Sequence, residues 1–86
     1  MAKNYFFQYD GNKIEVDAQT LTGAAIKAAI KQEVPSFDVT HDLVLEGKGN
    51  DPDAVIGDND PVDLSNQHGG PKKFFSRPPT NFGGSA

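Results

Sequence analysis

Tyr5-Phe6-Phe7-Gln8-Tyr9-Asp10-Gly11-Asn12-Lys13-Ile14-Glu15-Val16 is the stretch whose reading decides the fold. Tyr5 to Tyr9 is rich in residues that favour extended chain. Asp10-Gly11 is the strongest short signal for a two-residue hairpin turn, and Lys13 to Val16 then alternates polar with apolar. Such a turn pairs Tyr9 with Asn12, Phe7 with Ile14 and Tyr5 with Val16. Directly opposite residues share a face, so Tyr5, Phe7, Ile14 and Val16 form one apolar face. A slip of one residue sets Phe7 against Glu15, which no buried face tolerates. That face is core, and Phe6 is left on the other side beside Gln8.

Working outward, Thr20 to Pro35 carries the pattern of a short helix. With Thr22 as N-cap, Leu21 and Ile26 take the positions of a hydrophobic staple. Ile26, Ala29 and Ile30 recur at helical spacing, Lys27 and Lys31 mark the wet face, and Pro35 ends the helix near Val34. Phe37 and Val39 are expected to anchor the following connection in the core. His41 to Glu46 reads as a third strand, with Leu43 and Leu45 inward and Val44 outward beside Asp42 and Glu46. Gly47 to Pro61 is a polar loop with a short buried turn at Val55 and Ile56. Val62-Asp63-Leu64 is an edge strand at most, and Lys72 to Ser76 is the last strand. One of Phe74 and Phe75 points inward and the other outward; the sequence leaves open which.

At 86 residues the chain reads as one domain, 1–77, followed by an extended tail, 78–86. Hydrophobic residues make up 36% and include eight aromatics, enough for a modest core. The net charge of -4, with no basic run, argues against nucleic acid as a partner. Without cysteine there is no disulfide, thiolate metal site or thiol nucleophile, which fits a reducing compartment. No stretch suits a signal peptide or a membrane helix, so a cytoplasmic protein is expected, monomeric when free.

Candidates for chemistry fail on spacing. Frames for a calcium loop begun at Asp51 or Asp58 place Val55 or Val62 at the fifth, ligating position. Gly47-Lys48-Gly49-Asn50 lacks the spacing of a phosphate cradle. Asp63, Ser65 and His68 are the residue types of a hydrolase triad, but nearness in sequence does not make one. No catalytic residue, metal ligand or cofactor of the chain's own is expected.

Two antiparallel strands, a helix, a strand, a loop and a final strand is the order of a β-grasp. The expected fold is α+β, a mixed sheet of four to five strands with one helix packed on one face. The runs Tyr9 to Val16, Leu21 to Ile26 and Asp42 to Gly47 resemble bacterial ubiquitin-like proteins of the multiubiquitin type. Val55 to Asp58, Val62 to Ser65 and Lys73 to Pro79 are similar to the rest of that pattern. The resemblance implies a modifier used by an E1-like activating enzyme, which consumes ATP, and an E2-like conjugating enzyme. It also implies a metallopeptidase of the deubiquitinase type as a partner, and target proteins that the sequence does not identify. In that fold the first and last strands are neighbours and the third lies beside the last. Phe6, Val44 and the outward one of Phe74 and Phe75 would then form a partner-binding patch on the face away from the helix.

The resemblance gives the end of the chain a role. Gly83 and Gly84 would be the site of processing and conjugation, because a residue without Cβ threads a narrow enzyme slot. Pro78-Pro79 pre-orders an extended exit, and Arg77, Pro78, Pro79 and Phe82 would be the recognised side chains. Pro78 to Gly84 spans at most about 23–25 Å when extended. Ser85-Ala86 blocks the Gly84 carboxylate, so cleavage after Gly84 is expected. The alternatives are a sulfur carrier on the same fold and an interaction domain without C-terminal chemistry.

Overall fold

The computed structural model describes residues 4–47, 49–65 and 70–79. The opening hairpin forms in the expected register. β1 (Tyr5–Tyr9) and β2 (Asn12–Val16) pair antiparallel, with Tyr5 opposite Val16, Phe7 opposite Ile14 and Tyr9 opposite Asn12. Asp10 and Gly11 both take positive φ, 49° and 84°. That is the backbone a primed hairpin turn demands, and the short Asp side chain and glycine tolerate it best. Phe7, Ile14 and Val16 are buried, and Tyr5 packs against them.

β3 (Thr20–Thr22) leads directly into α1 (Gly23–Glu33). Thr22 caps the helix, its Oγ1 accepting from the Ala25 N–H at 3.3 Å, and the Val34 N–H closes the other end on the Ile30 carbonyl at 2.7 Å. Ile26 and Ile30 are fully buried against the sheet. The first helical N–H groups are not left to water. Gly23 donates to the Asp60 carbonyl at 3.0 Å and Ala24 to that of Asp58 at 3.1 Å. This approach requires glycine: a Cβ on Gly23 would overlap the Gly57 carbonyl oxygen and lie 2.9 Å from its carbon.

β4 (Asp42–Leu45), β5 (Ala54–Ile56), β6 (Pro61–Asp63) and β7 (Lys73–Arg77) complete the chain. The main sheet has five strands in the order β2-β1-β7-β4-β5. β1 and β7 run parallel at its centre and the other pairs are antiparallel, so the sheet is mixed, with the helix on one face. This is the expected β-grasp arrangement. β3 and β6 form a separate two-stranded piece, with Leu21 opposite Val62, which seats Val62 and Leu64 in the core.

Three expectations are corrected. Val55 and Ile56 are not a buried turn but part of β5, an edge strand paired with β4, and Val55 is 50% exposed. Phe37 is buried, its ring edge-on to Tyr9 at 5.2 Å between centroids, but Val39 is 48% exposed. The chain turns after Phe37: His41 N–H donates to the Asp38 carbonyl, which lifts Val39 out of the core. Thr20 to Thr22, read only as the approach to the helix, is a strand.

Candidate functional site

Two regions carry the residues singled out in the sequence: the outer face of the sheet and the exit from β7. On β7, Phe74 stands opposite Leu45 of β4 and Tyr9 of β1, both of which pack on the core. Phe74 is therefore the inward ring, buried and edge-on to Phe7 at 5.3 Å between centroids. It is no part of a surface patch. Phe75, one residue on, faces away from the helix and is half-buried.

Val44 shares that outer face, opposite Phe75 on one side and Val55 on the other. It is not the accessible centre expected of it, because only 1% of it is exposed. A short branched side chain on an interior strand, flanked on both sides by larger or equal neighbours, has little surface left to offer. The row Phe75-Val44-Val55 runs across three adjacent strands. Its accessible parts are Phe75 and Val55, and Val55 was missed because its segment reads locally as a turn. A recess of about 260 Å³ adjoins Phe75, lined among others by Gln8, Asp10, Glu46 and Lys73.

Phe6 lies on the same face but does not join this row. Gln8 stands opposite Lys73 in the parallel pairing, which sets Phe6 level with Pro71 and Phe75 level with Asp10. Four residues of strand, about 13 Å, separate the two rings along the sheet. Phe6 instead lies under the Lys13 ammonium, 4.7 Å from the ring centroid, and Lys13 also approaches Glu15 at 3.5 Å. The expected patch of Phe6, Val44 and an outward phenylalanine is thus split by polar Gln8 and Lys73.

The exit from β7 is exposed at Arg77, Pro78 and Pro79. Arg77, opposite Asp42, is the last residue of the strand. Phe82, Gly83 and Gly84, with Ser85 and Ala86, lie outside the described residues, as does His68.

The remaining polar geometry is that of turns. Ser65 donates both its hydroxyl, at 2.6 Å, and its N–H, at 2.8 Å, to Asp63 Oδ1. These bonds hold the Asp63 carboxyl below the usual carboxylate range. Thr40 treats Asp38 in the same way through hydroxyl and N–H at 2.6 and 2.9 Å, with His41 and Lys31 adding attraction. Ser65 is thus a turn donor, with its hydroxyl committed to a carboxylate rather than aimed at an open cleft. Among the described residues no three His, Asp or Glu side chains gather as a metal site, and no helix is long and apolar enough to cross a membrane.

A family model described as Multiubiquitin matches residues 5–78, which takes in the whole sheet, the helix and the first tail proline. No curated protein and no solved structure matches the chain.

Proposed function

Since the chain belongs to the multiubiquitin family and carries a ubiquitin-like domain, we propose that it is a ubiquitin-like protein modifier conjugated through its C-terminal end. A peptidase of the metallo-deubiquitinase type removes Ser85-Ala86. The freed Gly84 carboxylate is adenylated with ATP by an E1-like activating enzyme, passed to an enzyme thiol, and handed by an E2-like enzyme to an amine on a target. The modifier supplies no catalytic group. Its contribution is a terminus without Cβ, reached through the exposed Pro78-Pro79 pair.

The observation that carries this reading is the exit of the chain from β7. A central strand ends at Arg77, and the two prolines that follow are exposed, where a partner can grip them. Prolines fix φ and donate no backbone hydrogen bond, so this segment neither extends the strand nor folds into a helix. Less entropy is then lost when a partner threads it. The accessible row of Phe75 and Val55 offers the conjugating machinery an apolar foothold on the same sheet.

Mass spectrometry of the chain mixed with a metallopeptidase of the deubiquitinase type tests the first step, the expected product ending at Gly84. ATP–pyrophosphate exchange by the activating enzyme, with a chain ending at Gly84 and its Gly84→Ala variant, tests the second. An intact 86-residue mass together with no exchange from the Gly84-terminated chain overturns the proposal.

A further inference from the structure

β7 outruns one of its two neighbours. β1 reaches only as far as Tyr9, level with Phe74, and the chain then turns back at Asp10-Gly11. Beyond Phe75, β7 has a strand among the described residues on the β4 side alone, and that pairing ends with Arg77 opposite Asp42. The Tyr9 hydroxyl bonds that of Ser76 at 2.7 Å, which ties the strand to the body of the sheet up to that residue. The next three residues, Arg77, Pro78 and Pro79, are all exposed. Their backbone is constrained at every position. Arg77 and Pro78 each precede a proline, which disfavours helical geometry, and both prolines hold φ at about -65°. Such a segment favours polyproline-type chain, rising about 3.1 Å per residue, with no backbone N–H on either proline. Arg77 is the only arginine of the chain, and alternation along β7 puts it on the outer face with Phe75. Asp42 stands opposite but forms no ion pair with it, so the guanidinium keeps its fork of N–H groups for a partner.

We infer that Arg77-Pro78-Pro79 docks into an aromatic-lined groove of the kind that reads polyproline helices, on a partner that carries a carboxylate beside that groove. Two adjacent proline rings present apolar surface on a backbone that is already ordered, so little freedom is lost when aromatic side chains close on them. The neighbouring guanidinium is flat, stacks on an aromatic face and meets a carboxylate through two parallel N–H groups, which an ammonium does not do. That acid sets the direction in which the segment is read, since a pair of prolines by itself offers much the same surface from either end. The side of β7 that β1 leaves open gives the wall of the groove room to approach. The inference rests on the reading of this exit as the part that a partner grips, and on no step at Gly84.

The test is NMR titration of the isotope-labelled full chain with a WW domain selected for arginine-flanked proline pairs, which supplies such a groove. Shifts are expected at the amides of Ser76, Arg77 and Thr80. Pro78→Ala and Pro79→Ala are each expected to weaken binding at least about ten-fold, and Arg77→Lys at least about three-fold. The three positions are exposed and take no part in the core, so these variants keep the fold, which unchanged amide shifts in β1 and β2 verify. Val55→Arg, on the edge strand β5, leaves binding unchanged. No binding of the WW domain, shifts confined to residues outside 75–80, or any of the three tail variants binding as tightly as the parent overturns the inference. The WW domain neither cleaves nor activates the tail. Its result is therefore separate from ATP–pyrophosphate exchange with a chain ending at Gly84, and failure of one is distinguishable from failure of the other.

Discussion

Replacing Gly23 with alanine pits helix propensity against packing, and the structure decides which wins. On propensity alone alanine gains up to about 1 kcal/mol over glycine in a helix, less at the first position. Against that, the new methyl would overlap the Gly57 carbonyl oxygen and press on its carbon at 2.9 Å. The obstacle is backbone, and it is fixed from both ends: Asp60 accepts the Gly57 N–H at 2.8 Å through its carboxylate and donates its own N–H to the Gly57 carbonyl at 3.1 Å. Retreat of this turn also strains the bonds from Gly23 and Ala24 to Asp60 and Asp58. Overpacking of this kind costs about 1–3 kcal/mol. The expected net loss is about 0.5–2 kcal/mol, which lowers the urea midpoint by roughly 0.5–2 M for a domain whose m-value is about 1 kcal/mol/M. Ala28→Gly on the same helix calibrates the propensity term, with an expected loss of about 1 kcal/mol and no clash. A midpoint for Gly23→Ala equal to or above that of the parent, at unchanged m, refutes the reasoning.

Three further outcomes follow from the same contacts. Val44→Ala is expected to cost about 1.5–3 kcal/mol in chemical denaturation, against less than about 1 kcal/mol for Val55→Ala, because only the former side chain is fully buried. Tyr9→Phe removes the 2.7 Å bond between the Tyr9 and Ser76 hydroxyls and is expected to cost about 0.5–1.5 kcal/mol; an unchanged melting curve counts against that bond. Asp38 and Asp63 have carboxyls held below their ordinary value by Thr40 and Ser65, so their stabilising effect is present above that value and is lost as pH falls through the lowered one. Stability measured in urea between about pH 5 and pH 2 is expected to decline less steeply in Asp38→Asn and Asp63→Asn than in the parent.

The legible parts of the fold were those in which the decisive chemistry is local. The positive φ at Asp10 and Gly11 follows from two adjacent residues, and with it the register that buries Phe7 on Ile14. Thr22, Leu21 and Ile26 lie within one turn of the helix start and mark it. β3 and β5 escaped because three-residue strands exist only through distant partners, Thr20–Thr22 through Pro61–Asp63 and Ala54–Ile56 through β4. Hydrophobicity alone points Val39 and Val55 inward, but it does not specify direction where the chain bends between elements.

The candidate site divides in the same way. By itself the sequence determined that Pro78-Pro79 follows the last strand with Gly83-Gly84 further on, and that two phenylalanines on that strand face opposite ways. The tertiary structure decided which is which, since Phe74 is inward only because the pairings with Tyr9 and Leu45 make it so. It also parted Phe6 from Phe75 and hid Val44 beneath its neighbours. The parting of Phe6 from Phe75 rests on the stagger of β1 against β7, and the burial of Val44 on its pairings with β7 and β5, all strands distant in sequence or joined by no tight turn that would set their register.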